Sequence, residues 1–403
     1  MRPSLVKLRG LRDNAGMDQN FDVVIVGGGL AGLSLAVALR ASRLSIAMVE
    51  GHAPVAPEGW DTRIYAVSPA NRRFLEEIGI WRHFDASRLA PVRTMEIHGD
   101  AGGRLDFSAY DSGVDELAWI VEASLMQREL WETARRQGNV KLFCPARPQT
   151  LAIQAETAHL VLEDGRKLGA RLVVAADGAD SWTRQAAGIE VAFKPYGQMG
   201  VVANFSCEKP HRDTAFQWFR GDGVLAYLPL PGGKLISIVW STAAEHAREL
   251  LALPTEAFCR RVASASGERL GELSLVTPPA AFPLRLMRAP RTIAPRLALL
   301  GDAAHTIHPL SGHGINLGFQ DARVLAEVLS ACPDYADFGD EWWLRRYERA
   351  RCEEVLALQS ATHGLQRLFL PRAAPLARLR NAGLNLVNAL PVVRDALVRY
   401  ALG

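Results

Sequence analysis

The sequence predicts an α/β fold in which a parallel, nucleotide-binding sheet is interrupted by an antiparallel sheet and closed by a helical C-terminal region. Three observations carry this. An apolar run from Phe21 leads straight into Gly27, Gly29 and Gly32, and a helical pattern and a second apolar run follow. Much later in the chain, residues 297–321 repeat the scheme: apolar run, strand-tip acid, glycine turn, helix. Between the two, residues 190–290 alternate apolar and polar positions around Gly-Asp-Gly and Pro-Gly-Gly turns, as antiparallel strands with one buried face do.

Composition bounds the rest. The 403 residues, 49% apolar with a formal net charge of +3, suit a globular protein with one large core or two linked ones. No run reaches the roughly eighteen apolar residues of a membrane-spanning helix, and the first residues lack a signal-peptide core, so the expected compartment is the cytoplasm. Arg2, Lys7, Arg9 and Arg12 against Asp13 put the whole net charge ahead of Met17-Asp18, which reads as a more natural start. Residues 1–20 are therefore expected to be a disordered tail and not a nucleic-acid arm, and no nucleic-acid partner is expected. The cysteines at 144, 207, 259, 332 and 352 have no metal or redox spacing and read as reduced, packed thiols.

Taken in order, the first corner has all the parts of a dinucleotide site. Gly27 and Gly29 allow the turn and close phosphate approach, Gly32 allows helix packing, and Glu50 ends the second strand, predicted over residues 44–49, where a ribose hydroxyl would lie. An acid there favours a free 2′-hydroxyl, hence FAD or NAD over NADP, and the loop alone does not choose between those two. A pyrophosphate carries two negative charges, whereas a helix N-terminus contributes only about 0.3–1 kcal/mol. A cation is thus expected nearby, and Arg63 is the candidate, just ahead of a helix capped by Ser68. Residues 92–108 read as a hairpin. Residues 121–138 read as a helix with Gln127 on its first turns, placed to bond a cofactor sugar.

Strands are predicted at 140–144, 149–154, 157–163 and 171–176, the last running into Asp177-Gly178 with Ser181 as an N-cap. Glu50, Asp177 and Asp302 are then three strand-end acids gathered at the carboxyl edge of one sheet. Antiparallel strands follow at 198–206, 214–219, 224–228 and 234–241, then helices at 244–252 and 255–265 and a strand at 278–286. Residues 21–190 are read as the first part of the nucleotide-binding domain, with some substrate-domain strands near 92–108. Residues 191–290 are the inserted substrate domain, 291–335 the second part of the first domain, and 336–403 the closing helices. Residues 364–403 hold six arginines against Asp395, with Leu376, Leu379, Leu386, Val387 and Leu390 at helical spacing. Such a segment suits either an anionic membrane surface or packing on the core or a second subunit.

The motifs GGGLAG at 27–32, ADGADSWTR at 176–184 and LGDAAHTIHPLSGHGINLGFQDA at 300–322 together resemble the single-component flavin aromatic hydroxylases. With DTRIYAVS at 61–68 and YLPLPGGK at 227–234, the chain looks specifically like the ubiquinone-biosynthesis hydroxylase family. The resemblance implies a Rossmann-like FAD-binding domain with an inserted antiparallel-sheet substrate domain, as in para-hydroxybenzoate hydroxylase. It implies FAD, molecular oxygen, a flavin C4a-hydroperoxide, and a polyprenylated phenol or quinol as substrate. The electron donor would be transiently bound NAD(P)H or a separate reductase, since no second G-x-G-x-x-G loop exists. Partners in a ubiquinone-biosynthesis complex are also implied, and the basic C-terminal segment suits contact with the inner face of a membrane.

By the same resemblance, Gly27, Gly29 and Gly32 hold the pyrophosphate, Glu50 the adenosine ribose, Arg63 and Gln127 the pyrophosphate and ribityl region, and Asp302 a ribityl hydroxyl. Asp177 supports the cofactor indirectly. Pro309 adjoins the flavin, and the backbone of Gly312, Gly314 and Asn316 faces its ring. His313 stands where the family reads Gln, beside the flavin, and could tune proton delivery. His305, His308 and His313 are close in sequence but lack a partnering carboxylate at metal spacing, so no metal is expected, and His305 and His308 are expected to hydrogen-bond behind the flavin. Two other readings stay open: a flavin dehydrogenase or reductase of this fold, and a non-catalytic FAD-binding accessory subunit. The oligomeric state also stays open.

Overall fold

The computed structural model describes residues 19–55, 57–308, 314–369 and 374–390, together with 393, 394 and 398. Its first sheet is built around β1 (Gln19–Val26), which leads through α1 (Leu30–Ala38) to β2 (Ile46–Val49). β1 pairs in parallel with β2 on one side and with Lys167–Ala175 on the other. β2 pairs in parallel with Val140–Phe143, and Lys167–Ala175 with Leu297–Leu299. Parallel strands buried on both faces are continuously apolar. Val23, Val24 and Ile25 are accordingly fully buried, each worth about 1.5–3 kcal/mol of transfer free energy.

Register does the functional work in this sheet. Val26 lies opposite both Val49 and Ala175, and Ala175 opposite Leu299. Four strands therefore stop level, and the residues that follow them, Gly27, Glu50, Asp177 and Asp302, emerge along a single edge. Helices α1, Ala123–Arg135 and Gly314–Ser330 cover one face of the sheet. The antiparallel strands Pro148–Ile153 and Ala158–Leu162 extend it at Lys167–Ala175, with Leu160 and Leu162 in the core of the other face.

The second sheet has nine strands. Along its main path run His305–Thr306, Ala280–Arg288, Lys194–Cys207, Leu235–Ala243, Gly223–Leu230, Thr214–Arg220, Thr94–His98 and Arg104–Ser108. The hairpin at Thr94–His98 and Arg104–Ser108 thus joins this sheet, its first strand parallel to Thr214–Arg220. Helices Ala244–Ala252 and Thr255–Ala265 bury Phe205, Tyr227 and Trp240 on one face. The opposite face meets a three-stranded sheet of Ile64–Val67, Ala90–Val92 and Ala118–Glu122, and the Asn204 amide donates across to the Asp61 carbonyl at 2.8 Å.

Several element boundaries differ from the sequence reading; Lys167–Ala175, for one, begins well before the expected 171. The helix expected over 121–138 is Ala123–Arg135, because Val121 and Glu122 belong to a strand paired with Ile64–Val67. β1 begins two residues before the apolar run, extended by pairing of Gln19 and Asn20 with Leu168 and Gly169. The closing helices are Glu341–Phe369, of 29 residues, and Ala374–Ala389. The further helix expected after Pro391 falls largely outside the described residues, as does the tail through residue 18. All five cysteines are free thiols, Cys207 and Cys259 buried and Cys352 exposed.

Candidate functional site

Where the level strands stop lies a cleft of about 610 Å³, bounded by both halves of the chain. Its floor is the glycine corner. Gly27 has φ +110°, and a Cβ there would collide with the Ala176 carbonyl oxygen. A Cβ on Gly32 would strike the Gly27 carbonyl, so this glycine lets α1 sit directly against the strand corner. Gly29 differs: a Cβ there meets nothing within 4 Å, because the loop is open towards the cleft. No side chain caps α1, so its first N–H groups are free to receive an anion.

Two side chains clamp this loop. The Glu50 carboxylate accepts from the Gly28 N–H at 2.5 Å and from the His52 N–H at 3.1 Å. From the other side the Gln127 amide donates to the Gly28 carbonyl at 2.9 Å. Arg63 lies across the cleft, and Tyr65 and Arg147, which the sequence reading did not single out, line it as well. Burial raises the Tyr65 phenol above its ordinary value, with Asp302 adding to the effect and Arg63 opposing it.

The second half enters at Gly301-Asp302. Gly301, at φ +59°, and Gly318 would each bring a Cβ to 3.2–3.4 Å from the Ala31 methyl, so their lack of side chains lets Gly314–Ser330 approach the start of α1 closely. Two helix N-termini therefore converge on one cleft. Asp302 projects into it, open to the cleft and crowded by protein on its other sides. That crowding pushes its carboxyl up, helped by Asp321 and opposed by His305. Beneath it lies a buried ionic cluster absent from the sequence reading. Asp321 accepts from the Gly301 N–H at 3.0 Å, pairs with His305 at 2.7 Å, and pairs with Arg351 of the long C-terminal helix at 2.6 Å. Burial opposes the charge on Asp321, and His305 and Arg351 outweigh it, holding the carboxyl below its ordinary value. Its signal in the sequence was an acid among the apolar positions Leu317, Phe319, Ala322 and Leu325.

The remaining residues named from sequence take different positions. Asp177 borders the cleft, but its carboxylate is turned to cap the next helix, accepting from Ser181 and from both the N–H and hydroxyl of Thr183 at 2.9 Å. Arg184 is fully buried and donates to the Ala303 carbonyl at 2.9 Å, tying that helix to the Asp302 segment. Gly314 lines the cleft. The Asn316 side chain is buried behind it and holds neighbouring elements together: its amide donates to the Ala66 carbonyl at 2.8 Å and its oxygen accepts from the Ser68 N–H at 2.9 Å. Pro309, Gly312 and His313 lie outside the described residues. Just before them, buried His308 bonds the Gln198 side chain at 3.1 Å and packs edge-on against Tyr196. Burial lowers His308 to about 4, with His363 adding to the effect. Among the described residues no group of His, Cys, Asp or Glu could hold a metal.

The donor set suits an extended anionic cofactor: paired helix N-termini, an open glycine, a nearby arginine, and acids at both ends. The FAD-binding domain family matches residues 20–361. The chain is 34% identical over 393 residues to the ubiquinone hydroxylase UbiL of Rhodospirillum rubrum, covering 96% of this chain and 90% of that one. It is 33% identical to the 3-demethoxyubiquinol 3-hydroxylase of Escherichia coli, covering 96% and 99%. Among solved structures, PqsL of Pseudomonas aeruginosa in complex with 2-aminobenzoylacetate superposes with a TM-score of 0.77 at 26% identity, covering 91% and 99%.

Proposed function

Because the chain belongs to the FAD-binding domain family, and within it to the ubiquinone-biosynthesis hydroxylases, we propose that it adds one oxygen atom to the aromatic ring of a polyprenylated phenol or quinol intermediate of ubiquinone. It is an FAD-dependent monooxygenase. The observation that carries the reading is the convergence of the α1 and Gly314–Ser330 N-termini with Asp302 at one cleft, beside an antiparallel sheet broad enough to cover a ring. FAD, when bound and reduced by NAD(P)H or a separate reductase, supplies the activation of molecular oxygen.

The chain's own residues position and shield. Gly29 and the α1 N-terminus receive the pyrophosphate, with Arg63 balancing its charge. Glu50 takes the adenosine ribose, Gln127 steadies the loop, and Asp302 accepts from a ribityl hydroxyl. Residues 21–190 and 291–335 form the FAD-binding part and 191–290 the substrate part, closed by the helices from 336. His313, Pro309 and Gly312 adjoin the flavin ring in this reading. Replacement of His313 by Gln then changes the pH profile of hydroxylation coupled to hydride consumption, and an unchanged profile removes His313 from the chemistry. Neighbouring enzymes of the same route and the inner face of a membrane are the proposed partners; no helix among the described residues is long and apolar enough to cross a bilayer.

The decisive assay supplies the FAD-loaded protein with a prenylated phenol, oxygen and a reductant, and follows the product by mass spectrometry. Gain of one oxygen atom on the ring is expected. A reduced flavin inert to oxygen, or a product altered only in its prenyl chain, favours a dehydrogenase or reductase instead.

A further inference from the structure

The helix Ala374–Ala389 docks through a mixed face, on which Arg380 and asparagines stand beside Leu384, packed against Phe219 and Phe369. Asn381, Asn385 and Asn388 face the edge strand of the nine-stranded sheet and the turn before it, and their side-chain oxygens accept from the backbone there: Gly103 N–H at 2.7 Å, Arg104 N–H at 2.8 Å and Asp106 N–H at 3.0 Å. Asn381 also donates to Asp100 at 2.8 Å, and buried Arg380 pairs with the same carboxylate. The contact is close enough that a Cβ on Gly99 or Gly103 would overlap Asn381. At about 100° per residue the three asparagines occupy one side of the helix, and Leu376, Leu379, Leu386 and Leu390 fall on the other. Those leucines are exposed, Leu379 at 70% and Leu386 at 61%.

Leu365 and Leu368 are also exposed, at the end of Glu341–Phe369, where Arg380 donates to the Leu368 carbonyl at 2.9 Å. On the inner side of that last turn, Gln366 and Phe369 line a second cleft of about 400 Å³ together with Gln198, the partner of His308. Basic residues accompany the leucines: Arg367 and Arg378 are exposed, whereas Arg380 is paired with Asp100 and Arg394 with Asp111.

We propose that the outward leucine row of Ala374–Ala389, with Leu365 and Leu368, is a docking surface for an anionic lipid bilayer, with the cleft at Gln366 and Phe369 beside it. This deepens, and rests on, the membrane contact proposed above. Charge complementarity selects this occupant. A second copy meeting the same patch across a two-fold axis would set arginine against arginine, whereas anionic headgroups neutralise them while the leucines enter the acyl boundary.

Vesicle sedimentation of the FAD-loaded full chain tests it, using phosphatidylcholine alone and phosphatidylcholine mixed with phosphatidylglycerol. The wild type is expected to pellet with the mixed vesicles and to be released by salt. The double variant Leu379→Glu/Leu386→Glu is expected to lower its partition coefficient by about tenfold or more, with flavin content and melting temperature unchanged because both side chains point to solvent. Wild-type protein that ignores both vesicles, equal binding by the double variant, or a dimer that the double variant dissociates would each overturn the proposal. A soluble phenol bearing one short prenyl group separates the two readings. Turnover of it without vesicle binding rejects the surface alone, and vesicle binding without turnover rejects the hydroxylase alone.

Discussion

A single methyl group is enough to distinguish the roles of the glycines in the first corner. In Gly27→Ala the new Cβ meets the Ala176 carbonyl at a positive φ, and strain of about 1–3 kcal/mol is expected, read as a lower melting temperature of the apoprotein. Gly29→Ala meets open space, so the apoprotein should melt within about 0.5 kcal/mol of wild type while titration with FAD shows weakened binding. Asp302 gives a second test at this scale. Burial penalises its charge and raises its pKa, so the folded apoprotein carries a cost that is full above the raised value and disappears below the ordinary one. Asp302→Asn should therefore melt higher than wild type as apoprotein at neutral pH, yet bind FAD about tenfold more weakly for want of a charge-assisted hydrogen bond. The glycines and strand-tip acids were legible in the sequence because local backbone chemistry dictates them. Tyr65 and Arg147 were not, since only the closing of the cleft brings them to it.

At the scale of elements, Asp321 fastens three pieces: the Gly301 turn, the strand at His305 and the long helix at Arg351. Asp321→Asn leaves Arg351 facing a neutral amide in the interior, and a loss of about 3–5 kcal/mol is expected on denaturant unfolding. The pH dependence has a definite sign. A carboxyl held below its ordinary value contributes fully above that value and loses its contribution as the pH falls through the lowered one. Wild-type stability should drop in acid more steeply than that of Asp321→Asn. Strands and helices were readable from periodicity, but Ala123–Arg135 starts later than its pattern suggests because sheet pairing claimed Val121 and Glu122. The sense in which Ala374–Ala389 docks was likewise invisible: leucine spacing marks an apolar stripe without saying whether it faces in or out.

Across the whole molecule, the segment that carries Asp302 runs on through His305–Thr306 into the nine-stranded sheet, and the bond of His308 to Gln198 fastens it there. An unfolded histidine takes up a proton near 6.5, while His308 in the fold resists until about 4. The unfolded state therefore binds more protons between those values, and stability falls as the pH is lowered through that window. Melting temperatures of the wild type should decline across it more steeply than those of His308→Gln. The order of the two cofactor halves around an intervening sheet was legible because each half carries its own strand, acid and glycine turn. The level ends of the four parallel strands were not, since register is settled only when the sheet assembles.

The asparagines of Ala374–Ala389 also govern how the protein behaves among copies of itself. Arg104–Ser108 is the outermost strand of its sheet, and an uncovered edge is a template for pairing with another chain. By occupying the outward N–H groups of Arg104 and Asp106, the helix closes that edge with side chains instead of another strand. Removal of residues 374–403 should therefore give a flavoprotein that associates through strand addition, visible as concentration-dependent light scattering, even while the cleft at Gly27 and Asp302 stays intact.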